Sequence, residues 1–241
     1  MGHGTGHRDA VVVPAETPEL AAAMTSARGS IGIFWRELTW DQRRDDEPML
    51  ERASVQVAVA DPDRPGFVEH VWLEDLDFDG RQICGATTGS GGRVHATPEQ
   101  IEDWLYSLFG TAYGGFTVQV HRSSLGLWER RRHDRAWRMR FGRPGDVRLM
   151  PEQDEHPEYL VEHPASLATA DFLRSDPDLV LPDGDDGVTA LHREACAGNA
   201  AIVEVLLERG ADRDRRTPEG DTALDLARRM GWTRVVDLLQ Q

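Results

Sequence analysis

The chain has 241 residues, of which 39% are hydrophobic and 29% charged, and this composition is typical of a globular protein with about two modest domains. Its formal charge of −15 argues against a general nucleic-acid binder, and no apolar run reaches the ~18–20 residues that cross a bilayer. All 27 basic residues are arginine, which excludes Schiff-base chemistry and a P-loop lysine.

The cysteines and the first residues give no sign of a metal site or of export. Cys84 and Cys196 lie far apart and form no CxxC pair, so neither a zinc site, a disulfide framework nor another cofactor is predicted. The chain starts MGHGTGHRDAVVV, which lacks the basic start and apolar core of a signal peptide. We therefore expect a cytoplasmic protein without membrane contact.

A helix is predicted near the start of the chain. Residues 1–15 carry Gly, His and Pro without a period and are predicted to form a flexible tail. From Thr17, the predicted N-cap, to Trp40, apolar residues recur at helical spacing. Gly29 and Gly32 are expected to bend or break this helix.

Antiparallel strands are predicted next, because apolar and polar residues alternate in two stretches, 54–60 and 67–78. Asp79-Gly80 supplies the two-residue turn of a hairpin, and 81–87 returns as the partner strand.

A second helix and a last strand complete this part of the chain. Residues 98–108 are predicted to form a short helix capped by Thr97, and 116–120 a strand. The predicted fold is an α+β domain over 16–122, with a small antiparallel sheet and helices.

Four short segments of this domain carry a resemblance to a known family. They are FWREL, EHVW, IEDWLY and YGGFTV, at 34–38, 69–72, 101–106 and 113–118. The segments and their order resemble the bacterial family called domain of unknown function 2314, from about Thr17 to Arg122. The resemblance implies the fold of the domain but no reaction.

Residues 123–163 are interpreted as a connecting segment rich in Arg and Trp, followed by an acidic linker from 151. Between Arg122 and Arg148, arginines outnumber acidic residues nine to three, and Trp128 and Trp137 lie among them. One interpretation is a nucleic-acid or phosphate patch. The other is a connecting helix whose aromatic residues pack on the first domain, and the acidic chain favours it.

The last third of the chain repeats itself. Seven identities recur 33 residues apart: Gly187/Gly220, Thr189/Thr222, Ala190/Ala223, Leu191/Leu224, Gly198/Gly231, Val203/Val236 and Leu206/Leu239. This period and pattern resemble ankyrin repeats, with one half capping unit and two units over 164–241, an all-α array. Such an array is shorter than the ~3 units that usually suffice for stability. We therefore expect the array to dock on the first domain, with the segment 128–141 as the joint.

The resemblance implies that the array binds another protein, as a protein–protein interaction module. Carried over one position at a time, the family's variable, partner-facing positions fall on twelve residues: Asp183, Asp185, Asp186, Val188, Cys196, Ala197, Arg216, Pro218, Glu219, Asp221, Arg229 and Met230. The first of the two loops is acidic, which favours a basic partner. Analogy with bacterial ankyrin proteins that neutralise their partners suggests an immunity or antitoxin-like role.

Glu194 departs from the repeat pattern, because ankyrins usually carry alanine there, as Ala227 does in the second unit. A carboxylate among small buried residues needs a partner. An arginine from the preceding segment is the expected partner.

Enzymatic function is the alternative, with His70, Asp103 and Tyr113 as candidate catalytic residues in the α+β domain. A nucleophile motif such as GxSxG, a zinc motif and the P-loop are all absent from the sequence, so a non-enzymatic protein is expected. Convergence of the three side chains in an open pocket would favour the enzyme.

A calcium loop is not predicted either. DLDFDG at 75–80 matches the start of an EF-hand loop, but the twelfth position is Ala86, where glutamate would supply the bidentate ligand. No metal is therefore expected.

Overall fold

The computed structural model describes residues 17–42, 50–60, 67–78, 81–88, 92–141, 147–148, 164–181, 183–184 and 187–241. The chain divides into two compact units, Met1–Arg28 with Leu50–Leu149 and Gly29–Met49 with Met150–Gln241. The predicted tail, the Asp79-Gly80 turn and the predicted acidic linker lie outside the described residues. The domain boundaries drawn from the sequence stay predictions.

One helix, α1 (Pro18–Gln42), contributes residues to both units. Thr17 caps it as predicted, because the backbone N–H three residues later donates to Thr17 Oγ1 at 3.2 Å. The predicted break is wrong, since α1 runs through Gly29 and Gly32 without interruption. A glycine in a helix costs only ~1 kcal/mol relative to alanine, which packing of the helix can offset.

The first unit contains one twisted sheet, in which the described strands follow the order β4-β3-β2-β1-β5-β6-β7. The strands are β1 (Leu50–Ala60), β2 (Val68–Phe78), β3 (Ile83–Thr87), β4 (Arg93–Ala96), β5 (Ile101–Leu108), β6 (Thr111–Gly114) and β7 (Val147–Arg148). Neighbours run antiparallel except β6 and β7, which are parallel. The predicted antiparallel sheet is confirmed.

The helix predicted over 98–108 is wrong. Only Pro98–Gln100 forms a helical turn, and Ile101–Leu108 is β5. The residues that predicted a helix start, Thr97 and Gln100, cap only this short turn. The N–H of Thr97 donates to Gln100 Oε1 at 2.8 Å. β5 is buried along nearly its whole length, and a strand covered on both faces does not alternate in hydrophobicity.

The strand predicted over 116–120 is also wrong, because these residues begin helix α2 (Phe116–Ser124). The helix starts after Gly115, whose φ of 69° is the left-handed conformation that glycine adopts without strain. The carboxylate of Asp103, on β5, accepts the backbone N–H groups of Phe116 and Thr117 at 3.0 and 2.8 Å. Because the capping residue lies on a strand thirteen residues earlier, no local sequence pattern indicates the start of α2.

Helices cover both faces of the sheet. On one face, Trp104 Nε1 donates to the carbonyl of Ala27 in α1 at 3.0 Å. On the other face lies α3 (Leu127–Phe141), whose Trp137 and Phe141 pack against β5 and β6. Packing of Trp137 on this sheet agrees with the interpretation of the segment as a helix whose aromatic residues contact the first domain.

Among its described residues, the second unit has five short helices after α1: α4 (Pro164–Ser175), α5 (Ala190–Ala197), α6 (Ala200–Glu208), α7 (Ala223–Met230) and α8 (Thr233–Gln240). Two helical hairpins, α5–α6 and α7–α8, follow the single helix α4. Thr189 and Thr222, 33 residues apart, both close capping boxes at the start of the inner helices. These helical hairpins are consistent with the predicted ankyrin repeats.

Candidate functional site

The hairpin turns that precede the inner helices have the same geometry in both repeats. The N–H of Gly184 donates to the carbonyl of Val188 at 2.8 Å, and the N–H of Thr217 donates to the carbonyl of Asp221 at 2.9 Å. Gly187 and Gly220 hold φ angles of 82° and 88°, which only glycine adopts readily. Each turn is therefore closed by a backbone hydrogen bond between described residues.

Four of the predicted partner-binding residues are exposed at these turns: Asp183, Arg216, Pro218 and Glu219. We call these four the turn surface. Asp183 Oδ1 accepts the N–H of Ala190 at 2.8 Å, and Arg216 donates to the carbonyl of Gly220 at 2.7 Å. In each case the bond is made by the charged group itself and orients an exposed side chain. Asp185 and Asp186 lie outside the described residues.

Two further predicted residues bind each other. Arg229 donates two hydrogen bonds to the carboxylate of Asp221, at 3.0 and 3.1 Å. The Asp221 side chain is only 8% exposed, so this pair connects the second turn to the inner helix α7 from inside. Its bidentate geometry is that of a strong Arg–carboxylate contact.

The remaining predicted residues are largely covered within the second unit. Cys196, Ala197 and Met230 are buried, and Val188 is half-buried. Helix α1 covers the end of α7, because a Cβ atom at Gly32 would lie 3.3 Å from the Met230 carbonyl oxygen. The chain's own helix therefore occupies this end of the inner helix.

Gly32, Arg36 and Trp40 recur every four residues and form the stripe of α1 that contacts the array. The Arg36 guanidinium lies 5.4 Å from the ring centroid of Trp232, and Gly32 faces the same ring. Trp40 packs with Leu173, Ile202 and Val205 among others. This contact was not predicted from the sequence, although the apolar run IGIFW leaves no polar face on the helix and could have indicated burial on several sides.

Trp40 also begins a buried chain of hydrogen bonds. Its Nε1 donates to Asn199 Oδ1 at 3.1 Å, and Asn199 Nδ2 donates to Glu194 Oε2 at 2.8 Å. The buried Glu194 thus has a partner, as its position in the repeat requires. This partner is an amide of the same repeat. Pairing of Glu194 with an arginine stays a prediction.

Asn199 and Trp232 hold equivalent positions, 33 residues apart, between the two helices of each repeat. Trp232 Nε1 donates to the carbonyl of Cys196 at 2.9 Å. Its ring lies against Gly198, where an added Cβ would come within 2.4 Å. Both repeats therefore present a side chain to α1 at the same point of the hairpin.

In the first unit, Asp103 is fully buried and its carboxylate accepts four hydrogen bonds. The donors are the N–H groups of Trp104, Phe116 and Thr117 and the hydroxyl of Thr117, at 2.6–3.0 Å. Burial raises the pKa of Asp103 to about 6, and the four hydrogen bonds oppose this rise. The carboxylate caps α2 and is saturated by these donors.

His70 contacts Glu102, the neighbour of Asp103 in the sequence. His70 Nδ1 lies 2.5 Å from Glu102 Oε2, and the Glu102 side chain is 6% exposed. Between β1 and β5 the register shifts at Glu102, so this residue lies at a β-bulge. A carboxylate that holds an imidazole nitrogen fixes the orientation of the ring, as in the pairs that support general bases.

Tyr113 lies on the opposite face of the sheet from Asp103. It pairs with Tyr106 across β5 and β6, and the two rings stack at 5.1 Å. Tyr106 shares a face with Trp104, which contacts α1, whereas Asp103 contacts α2. The structure therefore does not bring His70, Asp103 and Tyr113 together.

Within the described part of the chain, no three His, Cys, Asp or Glu side chains are grouped to hold a metal ion. Cys84 contacts two residues across β3 and β4: Arg93 Nε donates to its Sγ at 3.3 Å, and His95 Nε2 lies 3.6 Å away. The last residues of DLDFDG, the weak calcium match, lie outside the described ranges.

Among the helices that the structure describes, none is long and apolar enough to cross a membrane.

Comparison with known proteins identifies both parts of the chain. Residues 17–141 match the family described as an uncharacterized protein conserved in bacteria (DUF2314), and residues 158–241 match ankyrin repeats. A Neisseria meningitidis serogroup B protein, named an ankyrin repeat protein, is 40% identical over 228 residues, which cover 89% of this chain and 90% of that protein. The AKT1 potassium channels of indica and japonica rice (Oryza sativa) are 50% identical over 46 residues, only 5% of their length. Ankyrin repeats imply a protein partner.

Proposed function

Because the chain belongs to the bacterial family of uncharacterized proteins DUF2314 and carries ankyrin repeats, we propose that it is a non-enzymatic protein–protein interaction module. Its partner binds the turn surface, that is, Asp183, Arg216, Pro218 and Glu219. The observation that carries this proposal is that both hairpin turns are closed by backbone hydrogen bonds while Asp183, Arg216 and Glu219 are exposed.

Closure of the turns by hydrogen bonds favours binding. A partner that contacts ordered turns does not have to order them first, so less conformational entropy is lost on association. The hydrogen bonds of Asp183 and Arg216 extend this order to their side chains. Three of the four residues of the turn surface are thus exposed charges, and two of these are held by hydrogen bonds.

The two turns differ in charge at equivalent positions, because Asp183 in the first corresponds to Arg216 in the second. A partner that presents a basic group to the first turn and an acidic group to the second would match both. The predicted residues Asp185 and Asp186 would add to the preference for a basic group at the first turn.

The contact of α1 with the ankyrin helices supports a partner interface centred on the turns. Cys196, Ala197 and Met230 are buried, and α1 covers the end of α7. In this proposal, these residues support the array and the partner contact lies at the turns. Binding of a partner at the inner-helix ends, as drawn from the family's variable positions, stays a prediction.

The non-enzymatic part of the proposal is supported by the use of Asp103 as a helix cap and by the position of Tyr113 on the other face. The observation that favours the enzymatic alternative is the oriented His70–Glu102 pair. Mass spectrometry of a captured partner distinguishes the two. A covalent change in the partner that is lost with His70→Ala would support the enzyme and contradict the proposal.

Affinity purification from the native host tests the interface. We expect the variants Arg216→Glu/Glu219→Arg and Asp185→Arg/Asp186→Arg to lose a partner that the unaltered chain retains. A matched control is Glu208→Arg/Arg228→Glu, which exchanges exposed charges on helices of the same array and keeps the net charge. Equal retention by the first variant and the control would refute the turn surface as the interface.

An antitoxin-like role is the finer form of this proposal and rests on analogy with bacterial ankyrin proteins. It requires that the captured partner inhibits growth when expressed alone and that co-expression of this chain restores growth. Restoration should then fail with the same turn-surface variant. Normal growth with the partner alone would contradict the antitoxin-like role and leave the interface itself standing.

A further inference from the structure

The outward face of α3 carries cationic and apolar side chains in one stripe. Its members recur at helical spacing over three turns, and all are exposed: Trp128, Arg131, Arg132, Arg135, Arg138 and Met139. We call this set the α3 stripe. It lies in the first unit and is independent of the turn surface.

The inner face of α3 is what holds the helix to the sheet. Arg122 donates two hydrogen bonds to Asp134, at 2.6 and 2.8 Å, and this ion pair lowers the pKa of Asp134. Trp137 and Phe141 pack against Leu105 and Ala112. The fold therefore uses the side of α3 opposite to the stripe.

The acidic side chains of α3 are already engaged elsewhere. Glu129 accepts the N–H of Gly126 at 3.1 Å, and Asp134 binds Arg122. Within the part of the chain that the structure describes, Arg132, Arg135 and Arg138 make no hydrogen bond or ion pair. Three neighbouring guanidinium groups thus face solvent without a counter-charge on their own helix.

Large apolar side chains flank these cations. Trp128 is 78% exposed and Met139 82%, and the Arg131 guanidinium lies 5.4 Å from the Trp128 ring centroid. Because they are exposed, the Trp128 and Met139 side chains do not contribute buried apolar surface to the stability of the fold. Arginine, tryptophan and methionine are the residue types enriched in protein interfaces, where tryptophan and arginine often dominate the binding energy.

We propose that the α3 stripe is a second docking site, which binds an acidic, amphipathic protein segment. Carboxylates of the segment pair with Arg132, Arg135 and Arg138, and apolar side chains of the segment cover Trp128 and Met139. From Trp128 to Met139 the stripe extends about 16 Å along the helix, the length of roughly three helical turns of a partner.

Two observations favour an acidic protein segment over a nucleic acid. The net charge of −15 repels a long polyanion. A short segment at the α3 stripe interacts little with charges farther away than the screening length of about 8 Å. The apolar ends of the stripe also need apolar partners, which a phosphate backbone does not supply.

Fluorescence anisotropy with the full chain tests the proposal. The probes are a labelled 15-residue peptide with Glu and Leu at helical spacing, a Glu/Ser peptide of equal charge, and single-stranded dT15. We expect the Glu/Leu peptide to bind most tightly and its affinity to fall as salt is raised. Binding of the Glu/Leu peptide no tighter than that of the Glu/Ser peptide, or of dT15, would overturn the proposal.

Matched variants locate the site. Arg132→Gln/Arg135→Gln/Arg138→Gln should weaken the Glu/Leu peptide about tenfold, the effect of three exposed ion pairs, while glutamine preserves the helix. Arg213→Gln/Arg215→Gln/Arg228→Gln has the same net charge and exposed positions in the second unit, and it should leave binding unchanged. Trp128→Ala should weaken the Glu/Leu peptide and not the Glu/Ser peptide. Equal losses in the two triple variants would show non-specific charge attraction and refute the site.

Discussion

The indole Nε1 of Trp40 donates a hydrogen bond to Oδ1 of Asn199, 159 residues further along the chain, at 3.1 Å. Both residues are buried, and the same asparagine donates to the buried Glu194. A helix from the start of the chain therefore supplies part of the core and part of the polar network of the ankyrin array. This contact explains how so short an array is stabilised.

Replacement of Trp40 should destabilise the second unit. Trp40→Ala removes a buried ring and leaves Asn199 without its donor, so the free energy of unfolding should fall by about 3–5 kcal/mol. Trp40→Phe keeps an aromatic ring and should cost about 1–3 kcal/mol, chiefly from the lost hydrogen bond. Urea unfolding followed by circular dichroism measures both changes.

Trp128→Ala is the matched control, because this tryptophan is 78% exposed. It should change the free energy of unfolding by less than about 0.5 kcal/mol. A loss as large as that of Trp40→Ala would show that burial in the array is not the source of the effect.

The fragment 164–241 should unfold with little cooperativity when isolated, because it lacks the α1 stripe. Two and a half repeats are below the ~3 that usually suffice, and Trp40 and Gly32 are absent from the fragment. A synthetic peptide of residues 29–42, added in excess, should raise the midpoint of thermal unfolding. If the fragment alone unfolds as sharply as the full chain, α1 does not complete the array.

Gly198 and Gly210 form a matched pair for testing the fit of Trp232. Both have φ near +80°, but a Cβ would meet the Trp232 ring within 2.4 Å only at Gly198, whereas nothing lies within 4 Å of Gly210. Gly210→Ala should cost about 1–2 kcal/mol, from left-handed strain alone. Gly198→Ala should cost a further 1–3 kcal/mol from overpacking, measured by chemical unfolding. Equal costs would mean that the indole ring moves aside freely.

The buried Asp103 should make stability depend on pH. Its pKa rises from 3.8 to about 6 on folding, so the folded state holds the proton more tightly than the unfolded state. The resulting stabilisation is complete below the unfolded pKa of 3.8 and is lost as the pH rises through about 6, a difference of about 3 kcal/mol. Urea unfolding between pH 4 and 7 measures this slope.

Asp103→Asn removes the titrating group and should flatten that slope. The amide nitrogen would also face the donors of Thr117, so a loss of about 1–3 kcal/mol is expected at neutral pH. A slope that survives in Asp103→Asn would assign the pH dependence to another group.

Elements set by local sequence patterns could be predicted, whereas elements set by long-range contacts could not. The 33-residue period fixed the ankyrin helices, since Thr189 and Thr222 cap them through bonds three residues away. β5 and α2 were misassigned because neither depends on local pattern alone. β5 is buried on both faces, and α2 takes its cap from Asp103 on that strand.

The same distinction between local pattern and long-range contact applies to the candidate site. The exposed residues of the turn surface follow from their positions in the repeat. Burial of Cys196 and Met230 depends on tertiary packing that periodicity does not encode. The pairing of His70 with Glu102, rather than with Asp103, depends on a β-bulge that shifts the register between two strands.

The contact between α1 and Trp232 has a consequence for protein synthesis. The ribosome makes Trp40 early, and the partners Asn199 and Trp232 emerge only after roughly ten to forty seconds of further translation. During that interval the apolar segment IGIFW has none of the array to cover it, which makes it a natural target for a chaperone that binds nascent chains. The second unit can therefore be completed only when the last repeat has been made, so loss of the repeat that contains Trp232 would also uncover the α1 residues that pack on it.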